Sequence, residues 1–129
     1  MIKKLDTIFS KFIRLRDTDE YGYGKCFICG ETFHYDELEC GHFRSRRHLT
    51  TRWMEVNAHI QDTECNQKED IGAHMIAMLN IHGMDVAADI IEKSKSDYKF
   101  TKDEYKEMYQ YYRAKVKELL KDKMFKVNL

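Results

Sequence analysis

The chain has 129 residues, 43% of them apolar and 34% charged. That length suits one modest core; the charge excludes a membrane-embedded chain and the apolar content a wholly disordered one. Its 22 basic and 22 acidic residues cancel to a formal charge of +0, so a polyanion would have to be met by a local cluster of cations.

Residues 2–16 place Ile2, Leu5, Ile8, Phe9, Phe12 and Ile13 at helical spacing, which predicts an amphipathic N-terminal helix. Tyr21-Gly22-Tyr23-Gly24 breaks it. Residues 25–66 read as short and irregular. Within them Cys26-Phe-Ile-Cys29-Gly30 has the form of a metal knuckle, with Gly30 taking the turn that two cysteines on one ion require. A hairpin is expected next, with Leu38 and Cys40 on one strand face, and Trp53, Val56 and Ile60 as core contacts. From Asn66 to Asn80 the period turns helical through Ile71, Met75, Met78 and Leu79, until His82-Gly83 stops it. Val86, Ile90 and Ile91 predict another short helix. Thr101 with Glu104 forms a capping box. It opens a last helix from Lys102 to about Lys123, striped by Tyr105, Met108, Tyr112, Val116, Leu119 and Leu120. That stripe suits either packing inside the monomer or a homodimer. The methionines at helical spacing read as core. The chain has 0 prolines, which agrees with helices joined by short connections.

Charge is unevenly placed. Residues 41–54 carry Arg44, Arg46, Arg47 and Arg52 and no acid, residues 55–97 carry nine acids against three lysines, and residues 98–129 carry nine bases against five acids. The arginine loop could seat a phosphate backbone or be an ordinary solvated loop. The acidic stretch could hold a divalent ion or be a solvated face. Met1-Ile2-Lys3-Lys4-Leu5-Asp6 runs into charge, which predicts no signal peptide. No apolar run is long enough for a membrane span. Four cysteines in such a chain favour metal ligation over disulfides, and hence a cytoplasmic location.

Two ligand sets could close a structural Zn2+ site. One is Cys26, Cys29, Cys40 and Cys65. The other replaces Cys40 with Asp62, since Asp62-Thr63-Glu64-Cys65 has the form of a CxxC with Asp in first place. Thiolates suit zinc better than a lone carboxylate, which favours the four-cysteine set. His42 is the candidate general base near neutral pH, with a zinc ligand as the competing role. Asn66 could offer an oxygen to a divalent ion, and Asn57 or Gln61 could orient the loop that carries His42. Arg44, Arg46, Arg47 and Arg52 are the candidate phosphate contacts. His59 is expected to be structural. His34, His48, His74 and His82 find no partner in sequence, although His48 follows the arginine run.

Ser10-Lys-Phe-Ile-Arg-Leu-Arg-Asp17, Cys26-Phe-Ile-Cys29-Gly30, Cys40-Gly-His42-Phe-Arg-Ser-Arg46, Asn57-Ala-His59-Ile-Gln61 and Cys65-Asn66 together resemble the NinG family. These are recombination proteins of lambdoid phages, also called Rap. The resemblance implies an α+β fold: a small zinc-stabilised treble-clef, HNH-like ββα core over residues 21–80, an N-terminal helix over 1–20 and a helical extension over 81–129, in one domain. It implies a structure-directed endonuclease acting on branched double-stranded DNA such as Holliday junctions and D-loops, using Mg2+ or Mn2+, in the bacterial host of a phage or prophage. In that pattern His42 matches the general base, Asn57 the middle Asn and Asn66 the last motif position. Two positions depart from it. Gly41 stands where many HNH nucleases have an acid, leaving Glu39 or a later acid to help hold the ion, and Asp62 stands where the third zinc cysteine is usual.

Overall fold

The computed structural model describes residues 1–128. The first helix, α1 (Ile2–Arg16), buries Leu5, Ile8, Phe9, Phe12, Ile13 and Leu15, the predicted stripe with Leu15 added and Ile2 left exposed at the helix start. Two short strands follow, β1 (Tyr23–Lys25) and β2 (Thr32–His34), paired antiparallel around the Cys26–Gly30 turn. A 3-10 turn at Tyr35–Glu37 leads into β3 (Leu38–His42). After the arginine loop comes a single turn of helix, α2 (Leu49–Arg52), a 3-10 turn at Glu55–Asn57, and β4 (Ala58–Asp62). β4 pairs antiparallel with β3, with Cys40 opposite Ile60 and Gly41 opposite His59. The helix α3 (Thr63–Lys68) continues directly from β4. An antiparallel strand pair leading into a helix thus forms the centre of an α+β fold.

The remaining helices are α4 (Ile71–Ile81), α5 (Met84–Ser94) and α6 (Lys102–Leu120). The expected helix over 66–80 is two helices. Glu69 adopts a left-handed φ of 49°, which ends α3, and the Asp70 carboxylate caps α4 by accepting from Ala73 N–H at 3.0 Å. The Thr101–Glu104 capping box is present as predicted. The last helix ends at Leu120, and residues 121–128 fold back so that Met124 N–H donates to Glu20 O at 2.7 Å.

One apolar cluster joins α1, β3, β4, Trp53 and α6, with Tyr112 and Val116 buried against α1. The α6 stripe is therefore used inside the chain. Trp53 and Ile60 are core residues, but Val56 is 36% exposed because it lies in the 3-10 turn and not on a strand face. A second cluster seats α4 and α5 on Phe27 and Phe43 through Met78, Ala87 and Ile90. No helix among the described residues is long and apolar enough to cross a membrane.

Candidate functional site

The metal group is assembled by two elements. Cys26 and Cys29 come from the β1–β2 turn, where Gly30 at φ 76° lets its N–H donate back to Cys26 O at 2.9 Å. Asp62 and Cys65 come from the junction of β4 and α3. Phe27 N–H donates to Ile60 O at 2.8 Å, which fixes the turn against β4. One donor atom from each of Cys26, Cys29, Asp62 and Cys65 lies within 4.8 Å of all the others. Asp62 serves twice: Oδ1 accepts from Cys65 N–H at 3.0 Å as the N-cap of α3, and Oδ2 accepts from the Cys29 thiol at 3.2 Å. Burial opposes its ionisation, yet the Cys65 N–H and the three thiols bring its pKa down to about 2. Burial, the Asp62 carboxylate and the neighbouring thiols push the Cys65 thiol up. Three thiols crowded on one carboxylate are a donor set that a zinc-like cation fits.

Cys40, favoured above as the fourth thiolate, is not in this group. Strand alternation turns it, with its partner Ile60, toward α1, where it packs on the main core. Burial pushes its pKa up to about 12, so it is a neutral thiol. The fourth position belongs to Asp62.

Beside the metal group lies a cleft of about 730 Å³, lined among others by Glu39, His42, Arg44, Arg46, Cys65 and Asn66. His42 sits at the end of β3. Its Nε2 is 2.9 Å from Arg52 O, and a carbonyl can only accept, so Nε2 carries the proton and Nδ1 the lone pair. Burial lowers the His42 pKa to about 4, which keeps the ring neutral at physiological pH. Asn57 is fully buried and clamps the loop after His42. It accepts from Arg44 N–H at 2.8 Å and donates to Arg44 O at 3.0 Å and Thr51 O at 2.9 Å. Asn66, on α3, donates to Glu39 at 2.9 Å across the cleft floor. A side chain at Gly41 would put its Cβ 2.0 Å from Gln61 Nε2 and 3.0 Å from Asn66 Oδ1, so an acid there would have to displace the end of Gln61. Among the described residues, the Cys26–Cys65 group is the one place where three or more metal-type donors converge.

The profile of the family described as Bacteriophage Lambda NinG protein matches residues 1–122. The chain belongs to the NinG family. No curated protein and no solved structure matches it.

In this NinG-family chain the four arginines part company. Arg44 and Arg46 line the cleft. Arg44 also donates to Ser94 Oγ on α5 at 3.0 Å, and Arg47 is exposed outside the cleft. Arg52 is taken up by Asp6: its Nε donates to Asp6 Oδ1 at 3.0 Å and its Nη2 pairs with Oδ2. Trp53 Nε1 donates to the same carboxylate at 3.0 Å. Arg52 therefore holds the arginine loop to α1 instead of offering a free guanidinium.

Sequence reading missed Asp6, although its place next to Leu5 and three residues before Phe9 sets it at the border of the apolar stripe. It also left Arg16 and Asp17 of the NinG pattern without a role. Arg16 pairs with Asp17 at 2.7 Å and donates to Glu55 O at 2.9 Å and Ala58 O at 2.8 Å, pinning the end of α1 to the start of β4. Nor did spacing reveal that His59 and His82 meet, Nε2 to Nε2 at 2.7 Å, with Phe27 stacked on His59 at 3.8 Å.

Proposed function

We propose that this protein is a structure-directed DNA endonuclease that hydrolyses phosphodiester bonds in branched recombination intermediates, such as Holliday junctions and D-loops, in the host cytoplasm. Family membership ties it to phage recombination. The observation that carries the reading is the placement of His42: Nε2 is held by Arg52 O, which leaves Nδ1 as the acceptor, in a cleft that also presents Asn66 and two arginines. The ββα order of β3, β4 and α3 supports an HNH-like core.

In this reading Nδ1 of His42 takes a proton from water as the water oxygen attacks phosphorus. The bond from phosphorus to the leaving sugar oxygen breaks, and solvent protonates that oxygen. Arg44 and Arg46 hold the flanking phosphates. Asn57 positions the loop. Asn66 and Glu39 would supply oxygens to Mg2+ or Mn2+, which would stabilise charge on the phosphate and the leaving oxygen. Cys26, Cys29, Asp62 and Cys65 would hold a structural zinc, which would tie the β1–β2 turn to the start of α3.

Cleavage of a labelled four-way junction and a matched linear duplex, with and without Mg2+ or Mn2+ on zinc-loaded protein, tests this. Metal-dependent cutting of the junction is expected. His42→Ala should lower the rate by about 10²–10⁴-fold while leaving junction binding intact. Cutting that survives the substitution removes His42 from the role. The filled space at Gly41 favours a second reading, a zinc-stabilised protein that binds branched DNA without cutting it. Tight junction binding with no cleavage under any metal selects that one.

A further inference from the structure

The exposed side of α1 carries cations that neither the metal group nor His42 uses. Lys3, Thr7, Ser10 and Arg14 follow one another at i, i+4, i+7 and i+11, so they stand in one line along the helix. Lys4 and Lys11, seven residues apart, flank that line. The one acid of α1, Asp6, is turned away and paired with Arg52. Among the described residues, Lys3, Lys4 and Lys11 have no ion-pair partner.

The strip touches two hollows. On one side Ser10 and Arg14 line the cleft that holds His42. On the other, Lys3, Lys4, Thr7, Ile8 and Lys11 face Tyr109 and Arg113 of α6 across a groove of about 410 Å³ with no acid in its lining. There the Lys4 ammonium lies 5.4 Å from the Tyr109 ring centre, and Arg113 donates to the Tyr109 hydroxyl at 3.3 Å.

We propose that the exposed strip of α1, with Arg113, is a phosphate-backbone track that runs into the His42 cleft and holds a duplex arm of the DNA substrate. This rests on the reading of the protein as DNA-acting. From Lys3 to Arg14 the helix rises about 16 Å, the length of about five base-pair rises along a duplex axis. Lysines and an arginine are phosphate-contact chemistry, while the Thr7 hydroxyl is taken by Lys3 O at 3.0 Å. In a chain of formal charge +0 such segregation gives the molecule a face that attracts DNA.

The test is junction binding by fluorescence anisotropy across a salt series, with cleavage followed in parallel. The K3Q/K4Q/K11Q variant should lower the slope of log affinity against log salt by about 3, since each phosphate left without its lysine takes away roughly one. K3R/K4R/K11R keeps the charge and should keep the wild-type slope. K95Q/K99Q/K115Q, three exposed or half-exposed lysines outside the strip and both hollows, should also keep it. An unchanged slope in K3Q/K4Q/K11Q overturns the track. So does wild-type protein that binds anionic vesicles but not DNA. Wild-type protein that binds with the expected slope loss in the variant, yet never cuts, overturns the nuclease reading alone.

Discussion

Gly41 sits opposite His59 in the β3–β4 pair, and the space that a side chain would take there is filled by Gln61. Gln61 is 3% exposed but borders the cleft, so its amide end can yield only by turning into that space. Gly41→Ala should therefore cost about 1–3 kcal/mol through overpacking, read from urea unfolding. Gly41→Ala with Gln61→Ala should recover most of that loss, because the clash is between those two side chains. A neutral Gly41→Ala would show that the cleft floor yields. The sequence shows that position 41 lacks an acid, but not that its place is taken. The clash depends on the register of strands separated by the whole arginine loop.

At the scale of elements, the junction of β4 and α3 depends on one carboxylate. Asp62 caps the helix with Oδ1 and faces the thiols with Oδ2. Asp62→Asn keeps an oxygen for the cap but loses the anionic donor. It should release zinc more readily to a chromogenic chelator while α3 stays capped. Asp62→Ala loses both and should cost about 1 kcal/mol more in stability. Equal stability of the two metal-free variants would sink the double role. Much of the element order is legible in the sequence. The α1 stripe, the knuckle at Cys26–Gly30 and the capping box at Thr101 are local signals, and each is where it is expected. The break at Glu69 is not legible, because the apolar period continues across it while a left-handed residue ends the helix. The alternation that puts Cys40 beside Leu38 is legible, but that its face turns away from the metal group depends on the β3–β4 pairing across the arginine loop.

For the molecule as a whole, three imidazoles are held without charge, His59 buried and His42 and His74 half-buried. Burial lowers His42 and His74 to about 4 and His59 to about 3, from 6.5. The unfolded chain binds these protons near pH 6.5 and the folded chain does not, so stability is complete above that value and falls as the pH drops toward 4. Each histidine contributes up to about 1.4 kcal/mol per pH unit across that window. Urea midpoints at pH 7, 6 and 5 should decline, with a steepening slope. A flat profile would mean that the three rings are not held neutral. No single-residue pattern marks these rings: His42 meets a carbonyl ten residues on, and His59 meets His82 across 23 positions.

The first and last long helices pack against each other. Leu5, Phe9 and Phe12 of α1 lie in one core with Tyr112 and Val116 of α6. During synthesis α1 leaves the ribosome before α6, and β3, β4 and Trp53 cover only part of its apolar face until α6 follows. The residues between Arg16 and Lys102 separate the two, and at about 5–20 residues per second that wait lasts on the order of several seconds. For that interval the nascent chain presents an apolar helix to its surroundings. That makes it a substrate for a chaperone holdase, and truncation anywhere before α6 should yield aggregation instead of a smaller folded core.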